Sequence, residues 1–190
     1  MLHERARRWR RVLTGVAAVA AIAVVESGAT SLRPLALEDL VRGASDVHRG
    51  KVTAVESRFN DDQSLILTEG RLQVSETLKG RSRGEIVLEI PGGRVGDLVL
   101  DVIGAPSFAL GEDVLIFGRD DGDGRLFLPD LYQDKYRLER AADGGLWLRG
   151  QHPAEKLLPA EPLPTDAAGR LAWEDFREHL VRVIQRGGGR

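Results

Sequence analysis

The chain of 190 residues contains no cysteine, so disulfide bonds, thiolate chemistry and cysteine-based metal sites are all excluded. Aromatic residues are also scarce, at 5% of the composition. The fold must therefore be held by an apolar core alone. A chain of this length can bury enough apolar surface for one ordinary domain, and we expect a single folded domain.

Clustered positive charge is absent from most of the chain. Five arginines stand among the first eleven residues, but after residue 29 the remaining 22 basic residues are interspersed with 27 acidic ones. Proteins that bind nucleic acid neutralise its phosphates with clustered Lys and Arg side chains. The charge pattern therefore predicts that nucleic acid is not a partner.

The longest apolar run, residues 12–25, is too short for a membrane-spanning helix, which needs about twenty residues. The arginines precede this run, and the small residues Ser27, Gly28 and Ala29 follow it. A basic stretch, an apolar stretch and a small-residue cleavage site are the layout of a signal peptide. We predict a signal peptide over 1–29 and an exported protein, periplasmic or extracellular. An uncleaved leader that anchors the protein to the membrane is the alternative.

Histidines are few, and their spacing matches no catalytic or metal-binding motif. Beyond the leader they are His48, His152 and His179, without the HExxH spacing that places two metal ligands on one helix face. No serine lies in a GxSxG nucleophile turn. We therefore predict no catalytic residue, no metal site and no cofactor, a packed or half-exposed His48 and a solvated His179. The alternative is a small cell-envelope hydrolase in which His48 or His152 works with carboxylate partners.

A regular series of short segments in which apolar and polar residues alternate runs from about residue 47 to residue 148. This period of two is typical of half-buried strands, and turn residues separate the segments at the spacing of an antiparallel barrel or sandwich. Residues 114–117 are apolar throughout, which predicts a strand covered on both faces. In the long second segment, 65–77, we place a bend at Gly70 because glycine in a strand often marks one.

Two amphipathic helices are predicted to flank this β region. Four of the eight prolines lie between residues 151 and 165, which is typical of an extended connector. We predict a β-barrel domain over 30–150, the connector over 151–165, and a helix over 166–190 that packs on the barrel. The apolar positions with helical spacing are Leu37, Leu40, Val41 and Ala44 in the first helix, and Trp173, Phe176, Leu180, Val183 and Ile184 in the second.

The segment 104–117, GAPSFALGEDVLIF, is the most distinctive in the chain. It combines a turn at Gly104 and Pro106, an aromatic plug at Phe108, and a tight lead through Gly111 and Glu112 into the buried strand. With HRGKVTAVES and EIVLEIPGGRVG, it makes the chain resemble exported bacterial proteins of unknown function. Their layout is similar to the OB-like barrel of netrin-like domains and tissue inhibitors of metalloproteinases.

The resemblance implies a small antiparallel OB-like β-barrel. From their residue types we assign a structural role to Gly104, Pro106, Phe108, Gly111 and Glu112, and direct contact with a ligand is the alternative. Because relatives of this kind accompany secreted metalloproteases, it also implies that the partner is another exported protein, a metallopeptidase being one candidate. Tissue inhibitors of metalloproteinases chelate the protease zinc through an amino-terminal cysteine, and this chain has none. Their mechanism is therefore not carried over to any residue here.

We therefore expect an exported, non-catalytic protein-binding module. Its candidate contact surface consists of the loops 58–64 and 91–95, with Phe59 and Arg94 as anchors. Aromatic and Arg side chains dominate the binding energy of many interfaces. For Phe59, a place in the core is the equal alternative.

Overall fold

The structure, a computed structural model, describes residues 34–150, 165 and 170–187. The predicted signal peptide over 1–29 lies outside the described residues, as do 151–164 of the predicted connector and 166–169 of the predicted terminal helix. In chain order the elements are α1 (Leu37–Gly43), β1 (Asp46–Phe59), β2 (Ile66–Lys79), β3 (Glu85–Pro91), β4 (Gly93–Val95), β5 (Leu98–Leu100), β6 (Asp113–Asp120), β7 (Arg125–Phe127), a 3₁₀ turn (Leu131–Asp134), β8 (Lys135–Arg140), β9 (Leu146–Gly150), β10 (Leu171–Ala172) and α2 (Trp173–Gly187).

Five strands close into a ring in the order β1, β2, β3, β7 and β6, and β6 pairs back with β1. A small closed β body of this kind matches the five-stranded OB-type barrel. The predicted mainly β, OB-like barrel with one helix before it and one after it is therefore confirmed. One detail differs from a purely antiparallel barrel, because β3 and β7 run parallel.

The remaining strands extend the sheet beyond the ring. Strand β8 pairs with β6, β9 pairs with β8, and β10 pairs with β9. The two helices pack against each other, and α2 also contacts β9, β10 and β2. Neither helix of the described region has the length and apolar character that a membrane crossing requires.

The molecule has two apolar cores that share strand β6. Along β6, Val114 and Ile116 point into the barrel while Leu115 and Phe117 point to the helices, and all four are fully buried. This confirms the prediction of a strand covered on both faces. The barrel core consists of Val52, Leu72, Ile86, Leu88, Ile90, Val114, Ile116, Leu126 and Leu128. The helix-side core consists of Leu37, Leu40, Val41, Ala44, Val47, Leu115, Phe117, Tyr136, Leu138, Leu148, Trp173, Phe176, Leu180 and Val183.

The long pair β1–β2 is irregular at Gly50 and regular at Gly70. One of the three register shifts in this pair lies between Arg49 and Gly50. A Cβ atom at Gly50 would overlap the carbonyl oxygen of Gln73, so the backbones can approach this closely only because Gly50 has no side chain. Gly70 pairs in register on both sides. One register shift therefore lies beside Gly50, and none of the three lies at Gly70.

Candidate functional site

Exposed apolar side chains concentrate in one stretch of the described chain. Of the seven large hydrophobic residues that are exposed there, four lie between residues 98 and 110. We call these four the apolar rim: Leu98, Val99, Ile103 and Leu110, with 60%, 55%, 90% and 74% of their surface exposed. Scattered exposed apolar residues are normal, but a concentration of them marks an interaction surface.

A groove of about 260 Å³ lies between this stretch and the barrel. Its walls come from the ends of β1, β2 and β3 and from the segment that follows β5. We call it the barrel-end groove; its lining residues are Val55, Ser57, Thr68, Ile90, Pro91, Gly92, Gly93, Leu100, Asp101, Val102, Ala105, Pro106, Ser107 and Phe108. The rim residues and one wall of the groove come from the same stretch of chain, and we treat the two together as the candidate surface.

Two hydroxyl groups of the groove are hydrogen bonded to each other. Thr68 Oγ1 donates to the carbonyl oxygen of Gly92 at 2.7 Å, and Ser57 Oγ lies 2.9 Å from Thr68 Oγ1. Gly93, with φ of 132°, lies directly against both hydroxyl groups, and a Cβ atom there would overlap them. The hydroxyls therefore fix the backbone of the groove and are poorly placed to act as nucleophiles.

A buried ion pair holds the segment 104–112 against the barrel. Lys135 Nζ donates to Glu112 Oε1 and Oε2 at 2.9 and 2.8 Å and also to the carbonyl oxygen of Ser107. Arg137 Nε donates to Glu112 Oε1 at 2.5 Å, and the Ala109 amide donates to Oε2 at 3.1 Å. The contacts from Lys135 and Arg137 tie the segment to strand β8, and the contact from the Ala109 amide lies within the segment itself.

Burial alone would raise the pKa of Glu112, but the donors from Lys135, Ala109 and Arg137 outweigh it and hold the pKa below its usual value. Burial lowers the pKa of Lys135, although Glu112 opposes this. Both side chains are less than 5% exposed. A buried pair of this kind is costly to break, so it keeps the groove wall in a fixed position.

The other distinctive residues of this segment occupy structural positions. Gly104 and Gly111 have φ of 83° and 82°, the left-handed region that favours glycine. The Gly111 amide donates to the carbonyl oxygen of Val52 at 2.8 Å. Pro106 is buried, whereas Phe108 is only half-buried, packing against the barrel core with its ring 4.4 Å from Lys135 Nζ.

The two predicted anchors lie at the same end of the barrel as the groove. Phe59 ends β1 and is half-buried, and Arg94 is exposed on β4 opposite Val99. The Gly92 amide donates to the carbonyl oxygen of Ile66 at 2.8 Å, which links the second predicted loop to the strand that follows the first. Neither anchor lines the groove. Sequence reasoning missed the apolar rim, although apolar residues inside a turn-rich loop, such as Ile103, were a usable signal.

His48 has an acidic neighbour but no access to solvent. Its side chain is fully buried, with Nδ1 3.0 Å from Thr77 Oγ1 and Nε2 3.4 Å from Asp46 Oδ1. Burial lowers the pKa of His48, although Asp46 acts in the opposite direction. Ser45 Oγ donates to Asp46 Oδ2 at 2.6 Å and does not contact the imidazole, so the Ser-to-His bond of a catalytic triad is missing.

The prediction of a solvated His179 is wrong. Only 3% of His179 is exposed, and neither ring nitrogen has a hydrogen-bond partner. The apolar stripe of α2 is wide enough to turn this position inward beside Leu180, which spacing alone did not reveal. Within the described residues, no group of three or more His, Asp or Glu side chains could hold a metal ion. His152 lies outside the described residues.

Comparison with known proteins does not identify a family for this chain. No protein-family model matches the chain, and a search of curated proteins finds no match either.

Proposed function

We propose that this protein is an exported, non-catalytic protein-binding module that binds its partner with the apolar rim and the barrel-end groove. The observation that carries the proposal is the exposure of Leu98, Val99, Ile103 and Leu110 beside a formed groove. Exposed apolar side chains gain free energy when a partner covers them, because apolar surface is removed from water.

The rigidity of the groove wall supports the same proposal. The Glu112–Lys135 pair ties the segment 104–112 to strand β8, and Gly104 and Gly111 allow the left-handed backbone that this path requires. A preformed surface loses less conformational entropy on binding than a flexible loop would. The partner that we propose is another exported protein, and the resemblance to netrin-like domains and metalloproteinase inhibitors favours a secreted peptidase. Export itself rests on the leader pattern of residues 1–29.

The hydrolase alternative has less support. It requires a histidine in a cleft with an acidic partner and a nearby nucleophile. His48 has the acidic neighbour Asp46, but both are buried and neither lines the groove.

The proposal is tested by affinity capture from a secreted or periplasmic fraction with the full chain as bait. We expect a peptidase among the bound proteins, and we expect the purified chain to slow cleavage of a peptide substrate by that peptidase. Ile103→Asp should abolish both effects because it places a charge in the apolar rim. Ile103→Val is the matched control, since it keeps an apolar β-branched side chain at this exposed position.

Two results would contradict the proposal. One is capture that Ile103→Asp leaves unchanged, which would place the contact surface elsewhere. The other is hydrolysis of a generic ester or peptide by the chain itself that is lost in His48→Gln, which would favour the hydrolase.

A further inference from the structure

Strands β4 and β5 form a two-stranded sheet that is separate from the barrel sheet. Strand β4 lies against β1 and β2, and no strand among the described residues pairs with the outer edge of β5. An unpaired strand edge presents backbone N–H and C=O groups that can pair with another chain. The outer edge of β5 is therefore open to an additional strand.

The register of the hairpin shows which backbone groups face outward. The pairs are Val95 with Leu98, Arg94 with Val99, and Gly93 with Leu100. The turn is a two-residue loop, and Gly96 at its first central position has φ of 58°, as a hairpin turn of this length requires. The pair that closes such a turn exchanges hydrogen bonds, so the next pair, Arg94 and Val99, does not. The N–H and C=O groups of Val99 therefore point to the outer edge.

The side chains of this edge are unusual for an unprotected strand. Natural proteins protect edge strands with charged side chains, with proline or with very short strands. Strand β5 is short, but Leu98 and Val99 are apolar and more than half exposed, and Leu100 lines the barrel-end groove. An added strand would cover the two exposed side chains and extend the apolar surface of the groove.

Two acidic residues determine which kind of strand can bind. Asp97 and Asp101 bracket β5, and both are exposed. If a second copy paired antiparallel with Val99 opposite Val99, Asp97 of each copy would face Asp101 of the other. Like charges that face each other across strands are destabilising, whereas opposite charges contribute favourably. The charge pattern therefore disfavours a second copy and favours a segment with basic residues at its ends.

We propose that the outer edge of β5 binds an extended segment of the partner protein by β-strand addition, and that this segment has apolar residues at its centre and Lys or Arg on both sides. The proposal rests on the proposed function, since it specifies how the partner is bound. In strand addition, main-chain hydrogen bonds supply affinity and alternate side chains supply specificity. Here the main-chain groups are those of Val99, and the specificity comes from Asp97, Asp101 and the apolar rim.

The test uses labelled synthetic peptides and fluorescence anisotropy with the full chain. The first peptide has valines at its centre and lysines at both ends, the second has glutamates at the ends, and the third repeats the first with alternate backbone nitrogens methylated. We expect the lysine peptide to bind at least tenfold more tightly than either of the others. Methylation removes the N–H donors without removing the side chains, so equal binding of the methylated peptide would overturn strand addition.

A substitution in the protein tests the same edge of β5 without changing the peptide. Val99→Pro removes the outward N–H, and because that group is not bonded to Arg94, proline is compatible with an edge position here. Val99→Thr is the matched control, since it keeps the backbone donor and the β-branched shape. We expect Val99→Pro to weaken binding of the lysine peptide at least tenfold and Val99→Thr to weaken it less than threefold. If the proline variant unfolds, the methylated peptide still decides the question with the unaltered protein.

The two proposals fail in different ways. If Ile103→Asp abolishes binding of the natural partner while Val99→Pro does not, the protein is a binding module that does not use strand addition. If neither variant affects the natural partner, the proposed function itself fails. Self-association of the chain that Val99→Pro abolishes would show a second copy at the edge and would overturn the proposed basic partner segment.

Discussion

The barrel core and the helix-side core differ in the side chains that fill them. The barrel core is entirely aliphatic, whereas the helix-side core contains four aromatic residues, Phe117, Tyr136, Trp173 and Phe176. A closed ring of five strands encloses a narrow interior that branched aliphatic side chains can fill. Two helices on an open sheet leave a broader space, and large aromatic side chains fill it.

The comparison shows that one strand can belong to two environments. Neighbouring residues of β6 alternate between the two cores because successive side chains of a strand point to opposite faces. The binding surface that we propose lies on the barrel side, beside the segment 104–112. We therefore expect the helices to stabilise the body while the barrel end provides the binding surface.

The largest expected effect comes from opening the helix-side core. Phe117 is fully buried and makes an edge-to-face contact with Tyr136, with ring centroids 6.0 Å apart. Phe117→Ala should lower the free energy of unfolding by about 4 kcal/mol, as measured by urea denaturation. The neighbouring Ile116→Val, which faces the barrel core, should cost only about 1 kcal/mol. By hydrogen exchange, amides of α2 should lose protection before those of β2, and equal loss would contradict two separable cores.

The next effect comes from the ion pair at the barrel end. Lys135→Met leaves the Glu112 carboxylate buried with Arg137 as its remaining cationic partner, and we expect it to cost about 3 kcal/mol. Combining Lys135→Met with Glu112→Gln should restore more than half of this loss, because no uncompensated charge remains buried. The double-mutant cycle is measured by chemical denaturation. A double variant that is less stable than Lys135→Met would contradict this account.

A smaller effect concerns Asp134, in the turn between the barrel strand β7 and strand β8. Asp134 is 1% exposed and accepts a hydrogen bond from the Asp130 amide at 2.6 Å, and burial raises its pKa to about 7. In the unfolded chain the pKa of this carboxyl is near 3.8, so the folded state binds the proton more tightly than the unfolded state does. Its contribution to stability is therefore complete below about pH 4 and is lost as the pH rises to about 7.

Asp134→Asn should abolish this dependence. Relative to the parent chain, the variant should gain roughly 2 to 3 kcal/mol between about pH 5 and pH 7. The measured quantity is the difference between variant and parent in denaturation at each pH. This difference is needed because the lowered pKa of His48 gives the parent an opposite slope below about pH 6.5. A difference that does not change with pH would contradict a raised pKa at Asp134.

The smallest expected effect distinguishes two glycines of the barrel. Gly50→Ala should cost about 2 kcal/mol, because the new Cβ would overlap the Gln73 carbonyl and lie 2.9 Å from Leu72 Cγ. Gly70→Ala should change stability by less than about 0.5 kcal/mol, since its Cβ would meet only Leu88, at 3.8 Å. Thermal melts of the two variants test this directly. Equal melting temperatures would place the close approach elsewhere.

Much of the architecture could be predicted because strand and helix periodicity are local properties. The alternation of Ile86, Leu88 and Ile90 predicted β3, and the apolar run 114–117 predicted a strand that separates two buried layers. The register shift beside Gly50 could not be predicted, because it depends on how closely the backbone of β2 approaches this residue. Burial of His179 was missed because the width of the buried face of α2 depends on the elements that pack against the helix, which the sequence pattern of α2 alone does not show.

The candidate site, too, was predictable only where it depends on local sequence. The distinctive segment around Phe108 and Glu112 was recognisable in the sequence, but its contact with Lys135 joins residues 23 positions apart. Phe59 and Arg94 were chosen for their residue types, and the structure places them beside the barrel-end groove without making them part of its lining. Whether they contact a partner stays a prediction.

The sequence by itself determined the mainly β class and the positions of most strands and both helices, because each follows from composition or from a short-range pattern. The export that the first 29 residues indicate stays a prediction. Only the tertiary structure decided which apolar residues are covered and which are left at the surface. Leu88 and Leu98 are equally apolar and both lie in strands, yet one is 1% exposed and the other 60%. That difference arises from the closure of the ring, which brings distant strands around one residue and leaves the β4–β5 hairpin outside.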